Sequence, residues 1–236
     1  MTRFLVGAVL LLSSLALAEV GKVAALDGDA TRTPKGGAAQ ALKTGSTLEL
    51  GDTLSVKTGN LKFELNDGSV IMLAPASVLE ITEAEFQGQE RTGFSGLLKA
   101  GSLWTKVKKA IGGGKFEVST ERAVAGVRGT IFRIDADALV KGAKGRKASI
   151  VRVVEGAVGV KPQPAIAKSI KSAAPRKGPR VEVAGPKEVN VDEWEKIFVN
   201  LAANQQVIVG VDLWEQAEID AASKTDAFSK WIEKNQ

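Results

Sequence analysis

Few residues of this chain could do chemistry. Its 236 residues include no cysteine, no histidine and no tyrosine, which removes thiolate nucleophiles, imidazole bases and the usual zinc or iron ligand sets. Carboxylates, lysines and hydroxyls remain. A carboxylate pair can run glycoside cleavage, and Glu83 and Glu85 stand two positions apart. They project alike only in a strand, and in a glutamate-rich turn they are solvated charges. A Ser–Lys pair is the other means of hydrolysing an envelope polymer. Gly112-Gly113-Gly114-Lys115 invites comparison with a phosphate loop, but that motif needs glycine where Lys109 stands and Ser or Thr where Phe116 stands. It reads as a connection between strands. The expectation is a protein that is not an enzyme, with no catalytic residue, no cofactor and no metal.

Charge sets the next bounds. Lys and Arg exceed Asp and Glu by 32 to 27, but unevenly: residues 161–187 hold 7 basic and 1 acidic side chain, and residues 188–236 hold 4 basic and 10 acidic. The basic stretch also holds five of the seven prolines, which denies it helix and central strand and favours an extended linker or inserted loop. As a solubilising spacer it needs no partner; docking on an anionic glycan, or on the acidic tail, is the sharper alternative. Residues 141–148 (KGAKGRKA) form a basic loop without aromatic platforms, so nucleic acid is not expected as a partner.

Arg3 precedes residues 4–18, an uncharged and mostly apolar run ending in Ala16-Leu17-Ala18. A positive start, a run shorter than a membrane span and small residues at the end describe a signal peptide cleaved after Ala18. The expected location is periplasmic or secreted, with no integral span left after cleavage.

The elements around these residues are strands. From residue 19 to 160 the pattern has period two or short apolar runs, broken every eight to twelve residues by glycine turns. Leu61 to Leu65 and Ser69 to Leu73 flank Asn66-Asp67-Gly68 as a hairpin. Asp27-Gly28 repeats that arrangement with weaker strands. Further strands are expected at 48–50, 54–56, 78–82, 103–107, 116–119, 131–134, 149–154 and 157–160. The fold class is all-β, a sandwich or roll of short antiparallel strands with a solenoid-like arrangement as the variant. Residues 196–201 and 205–210 predict a second hairpin within 188–211. Residues 212–236 predict an amphipathic helix, N-capped at Asp212, whose apolar stripe packs on the protein's own sheet or, through Trp214, Phe228 and Trp231, contacts an envelope protein or a second copy.

Taken in order, these turns resemble the FecR domain, a family of bacterial envelope domains. The resemblance runs through Gly51-Asp52 with Thr58-Gly59, Asp67-Gly68-Ser69 with Leu73, Pro75 and Ser77, and Gly101 ahead of Leu103-Trp104. It continues through Phe116 to Thr120, Val127-Arg128-Gly129-Thr130 with Phe132, and Glu155-Gly156-Ala157-Val158. Glu121 stands where the family commonly has proline. The tail sequence from Leu201 to Val209 is similar to a hairpin that follows many such domains. Some members are membrane-spanning regulators that relay a receptor signal to a sigma factor; with the leader removed, the resemblance implies the envelope interaction or sensory module without that relay. A tethered sigma-factor regulator, or a protein that binds or hydrolyses envelope polymer, is the alternative. Arg128, between Val127 and Gly129, is expected to be partly buried and to pair with Asp67 or Asp52, pinning distant loops. A ligand-binding role is its alternative.

Overall fold

The protein is described by a computed structural model covering residues 19–109, 114–140, 147–164, 199–211 and 213–236. The expected signal peptide, Gly112-Gly113, most of the basic loop, most of the 161–187 segment and the expected N-cap Asp212 lie outside the described residues. The strands are β1 (Glu19–Asp27), β2 (Ala30–Thr33), β3 (Gln40–Ala41), β4 (Thr47–Glu49), β5 (Thr53–Val56), β6 (Asn60–Leu65), β7 (Val70–Leu73), β8 (Val78–Gln87) and β9 (Glu90–Ala100). They continue as β10 (Ser102–Lys106), β11 (Lys115–Ser119), β12 (Ala123–Val127), β13 (Ile131–Leu139), β14 (Lys147–Glu155), β15 (Ala157–Pro162), β16 (Val199–Ala202), β17 (Gln205–Val209) and β18 (Trp214–Glu218). Helices α1 (Ala221–Thr225) and α2 (Ala227–Asn235) end the chain.

Two nine-stranded sheets face each other. Sheet A has the order β18-β17-β14-β13-β10-β7-β6-β1-β4, and sheet B the order β16-β15-β12-β11-β9-β8-β5-β2-β3. Both run close to chain order, so the chain winds from one end of the stack to the other in a solenoid-like manner. All pairings are antiparallel except that of β9 with β11. Alternation builds the interior: Leu61, Phe63 and Leu65 of β6 point inward while Lys62 and Glu64 face out. The core between the sheets gathers Leu54, Phe94, Phe116, Phe132, Val151 and Val207 among others.

Most passages between the sheets turn on a residue with positive φ, and here two expected hairpins prove to be corners. Asp27-Gly28 does not return β1 onto itself; β1 joins sheet A and β2 joins sheet B. Gly28 has φ 107°, and the corner packs on the β5–β6 corner so tightly that a Cβ on Gly59 would lie 1.3 Å from the Asp27 carbonyl oxygen. Likewise β16 and β17 do not pair with each other. Asn204, φ 65°, carries the chain from β16, paired with β15 in sheet B, to β17, paired with β14 in sheet A. The Asp67-Gly68 turn does close a hairpin, with Leu61 opposite Leu73 and Phe63 opposite Ile71.

The expected helix over 212–236 is also corrected. Residues 214–218 are the strand β18, and the helices start only after Asp220 and Asp226, whose carboxylates accept from Ser223 N and Ser229 N at 2.7 Å. These caps satisfy amide donors that a helix start leaves open. Helix α2 lies on the outer face of sheet A, where Phe228 and Ile232 bury against Met72, Ala74 and Trp104. It runs from Arg133 of β13, which binds Asp226 at 2.6 Å, to Lys62 of β6, which donates to Asn235 O. Those strands are three neighbours apart, about 14 Å, and nine residues of helix span about 13.5 Å. Phe228 is therefore covered by the protein's own sheet, Trp231 is half-buried beside it, and Trp214 packs on the main core.

Charge holds this clasp in register. Arg133 and Arg152 stand opposite each other on β13 and β14, and Asp135 bridges them. Asp226 completes the first arginine and Asp220, at 3.5 Å, the second; the Arg133 guanidinium also lies 5.3 Å from the Phe228 ring centre. Burial alone would raise the two tail carboxylates, but the capping amides and the arginines outweigh it and hold both below the ordinary 3.8. A depressed carboxylate stabilises above its unfolded value and loses that contribution as pH falls through the folded one. Burial of Phe228 and Ile232, about 1.5–3 kcal/mol each, acts together with the charged hydrogen bonds, about 1.5–3 kcal/mol each, to hold α2. The indole NMR resonance of Trp231 is thus expected to stay constant from neutral pH down to mild acid and to report loosening only below about 3.8. Arg133→Ala should loosen α2 already at neutral pH, by about 1.5–3 kcal/mol, with the main core intact.

Candidate functional site

The Asp67-Gly68-Ser69 turn is held by the opposite sheet. Asp67 Oδ1 accepts from Ser69 N at 2.9 Å and Oδ2 from Ser69 Oγ at 2.8 Å, while Gly68, φ 78°, allows the turn. Arg91 of β9, in sheet B, reaches this turn across the core. Its Nη1 donates to Asp67 Oδ2 at 2.6 Å and to Ser69 Oγ at 3.1 Å, and its Nη2 donates to Lys108 O at 3.1 Å. The guanidinium is 5.0 Å from the centre of the Phe116 ring, which stacks on Phe94 at 4.9 Å. Only 2% of Arg91 is exposed. Burial lowers its pKa from the usual arginine value, with Asp67 and Glu90 opposing.

Arg128 does not play this part. Asp67 is taken by Arg91, and the Asp52 carboxylate, itself 1% exposed, accepts from Glu49 N at 2.9 Å and faces Arg32 at 3.5 Å. Burial raises the Asp52 carboxyl above its ordinary value against the pull of Glu49 N and Arg32. Arg128 is exposed, and among the described residues it has no ion pair. Its neighbour Val127 is the last residue of β12, and Gly129, φ 67°, turns the chain out of sheet B at that point. The apolar neighbours mark the end of a strand and do not enclose the arginine.

The rest of that motif locks two corners together. Thr130, buried, donates from Oγ1 to Ala157 O at 2.9 Å. Gly156 has φ 85°, and a Cβ there would sit 3.1 Å from Thr130 Oγ1 and 3.2 Å from Gly129 O. Glu155, opposite Ile131 on β13, is exposed.

Beside this locked corner lies an open groove of about 730 Å³ on the outer face of sheet B. Since Phe116, Val118, Ala125, Val158, Val160 and Leu201 point into the core, their neighbours point out. Glu117, Gly126, Gly159 and Asn200 form one row across β11, β12, β15 and β16. Two adjacent glycines thus floor the groove. A Cβ on Gly126 would meet nothing within 4 Å, so internal packing does not demand glycine there. Arg128, Lys161 and Glu117 carry charge on the groove wall.

Among the described residues no group of three or more acidic side chains could hold a metal ion. Glu83 and Glu85 lie in strand β8, not in a turn. Glu83 accepts from Lys115 Nζ at 2.8 Å and Ser95 Oγ at 2.9 Å, and these bonds, the lysine first, hold its carboxyl below the usual range. A carboxylate so held is a poor proton acceptor at neutral pH.

Different losses follow from removing the two arginines. Arg91→Ala strands a buried carboxylate and should cost about 3–5 kcal/mol in denaturant unfolding. Arg128→Ala should stay within about 0.5 kcal/mol of the parent. Equal losses would contradict this assignment of the pin.

Comparison with known proteins follows the same stretch of chain. Residues 52–159 match the family described as FecR protein. Two crystal structures of a candidate anti-sigma factor from Parabacteroides distasonis, at 2.50 Å and 1.65 Å, share 19% and 18% identity with the chain, each with a TM-score of 0.48. The matches cover 73% and 76% of this chain and 62% and 64% of those proteins, so the chain spans less than two thirds of their length. No curated protein matches it. With its ordered turns set in two facing sheets, the stretch over residues 52–159, a little under half of the chain, is similar to the FecR family.

Proposed function

We propose that this protein is a non-catalytic recognition module of the bacterial cell envelope that serves signalling by contacting a partner at the groove beside Arg128. The FecR domain supports a regulatory or signalling role. The observation that carries the site is Arg128 itself: an exposed cation without an ion pair among the described residues, fixed in place by a corner whose own bonds run through Thr130 and Gly156. A rigid scaffold presenting a loop residue that its own packing does not use is a common arrangement for binding. The glycine floor fits an extended polymer, protein or glycan, approaching the sheet closely. The envelope location is supported by residues 1–18, with Arg3, an apolar run and Ala16-Leu17-Ala18.

Crosslinking capture from envelope extracts tests the site. Gly126→Phe fills the groove where a side chain has open space, and Arg128→Ala removes its cation. Each should reduce capture roughly ten-fold, about 1.4 kcal/mol, with the thermal midpoint unchanged. Unaltered capture by both variants sinks the proposal. Intact mass of the exported protein checks location: a chain beginning at Glu19 is expected, and Met1 retained in the membrane fraction would favour the tethered regulator instead.

A further inference from the structure

Among the described residues four strands end the two sheets: β3 and β4 at one end of the stack, β16 and β18 at the other. An edge strand presents unpaired backbone groups, and proteins protect such edges by shortness, lysine, proline or bulges. β3 and β4 have two and three residues, whereas β18 has five. The sequence of β18, Trp-Glu-Gln-Ala-Glu, holds no lysine or proline, and its register with β17 runs without a bulge from Gln205↔Glu218 to Val209↔Trp214.

The ladder shows which groups face outward. Gly210 N donates to Leu213 O at 2.8 Å, and Ile219 N donates to Asn204 O at 3.0 Å. In an antiparallel pair bonded and non-bonded positions alternate. Residues 213, 215, 217 and 219 therefore turn their amides and carbonyls to β17, and Trp214, Gln216 and Glu218 turn theirs to the edge that no described strand covers. Four of the five residues are exposed, and Trp214 is half-buried against the core. Glu215 and Glu218 project from opposite faces of the sheet, and neither has an ion pair among the described residues.

We propose that β18 accepts an extended, basic segment of a partner protein as a further strand of sheet A. Backbone bonds to residues 214, 216 and 218 supply the pairing, and two cations three positions apart on the incoming strand meet Glu215 and Glu218. An apolar side chain beside the second cation meets Trp214. A second copy of this chain suits the edge less well, since two β18 strands would bring four glutamates into one seam. This surface is separate from the Arg128 groove, on the other sheet, and stands or falls without it.

The test uses the full exported chain and two synthetic ten-residue peptides of alternating threonine and valine. One carries lysine at its fourth and seventh positions and the other glutamate there. Calorimetry at low salt should show binding of the lysine peptide alone, with amide NMR shifts centred on residues 214, 216 and 218. Gln216→Pro removes an amide that faces outward, so β18 keeps its bonds to β17; it should weaken binding roughly ten-fold, about 1.4 kcal/mol. Should that variant fail to fold, Glu215→Gln with Glu218→Gln should abolish the discrimination between the peptides. Equal binding of both peptides, no binding of either, shifts confined to the Arg128 groove, or self-association through β18 would each overturn the proposal.

Discussion

The ion pair between Arg91 and Asp67 ties sheet B to sheet A through the core, and much of the molecule is arranged around it. Two charges inside an apolar interior are costly unless every available bond is made. Here Ser69 supplies an amide and a hydroxyl to the carboxylate, Lys108 a carbonyl to the guanidinium, and Phe116 a ring face. Such a set can be satisfied in one alignment of the sheets only. A slide by one strand position would leave both charges buried without partners. Apolar packing drives the sheets together, and this pair selects where they stop.

With that alignment fixed, the surfaces acquire distinct tasks. The outer face of sheet A is spent on the protein itself, since α2 crosses four strands of it. The outer face of sheet B near β12 and β15 is left uncovered by any described element and floored with glycine. The domain therefore has a closed face and an open one, and the cation of the Val127-Arg128-Gly129-Thr130 corner stands on the open one.

Much of this was legible in the chain. Strict alternation, as in Leu61 to Leu65, exposes a half-buried strand to inspection because side-chain direction is set by parity alone. The Asp67-Gly68-Ser69 turn was legible for the same local reason. Asp27-Gly28 and the turn between 196–201 and 205–210 read as hairpins in the sequence because a positive-φ residue looks the same whether the chain folds back or crosses over; the neighbours already bound to each strand decide, and these are distant in sequence. β9 escaped notice because Gly93, Ser95 and Gly96 interrupt its apolar pattern, although it lies mid-sheet. Trp214, Ala217 and Ala221 have helical spacing, but β17 pairs with 214–218 first and the caps at Asp220 and Asp226 restart the chain as helix. Arg91 follows a polar turn and gives no local sign of burial, whereas Arg128 sits between apolar neighbours and is exposed. What identifies the pin is a carboxylate on the other sheet, and no window of sequence contains both.

The near-sequential strand order of both sheets has a consequence for how the molecule comes apart. Each added strand rests mainly on strands laid down shortly before it, so the stack resembles a coil of rope more than a closed vessel. Once α2 is lifted from Met72, Ala74 and Trp104, clipping strands from the C-terminal end would strip successive layers while the earlier strands keep their strand partners. Damage at the far end of such a coil is graded and local.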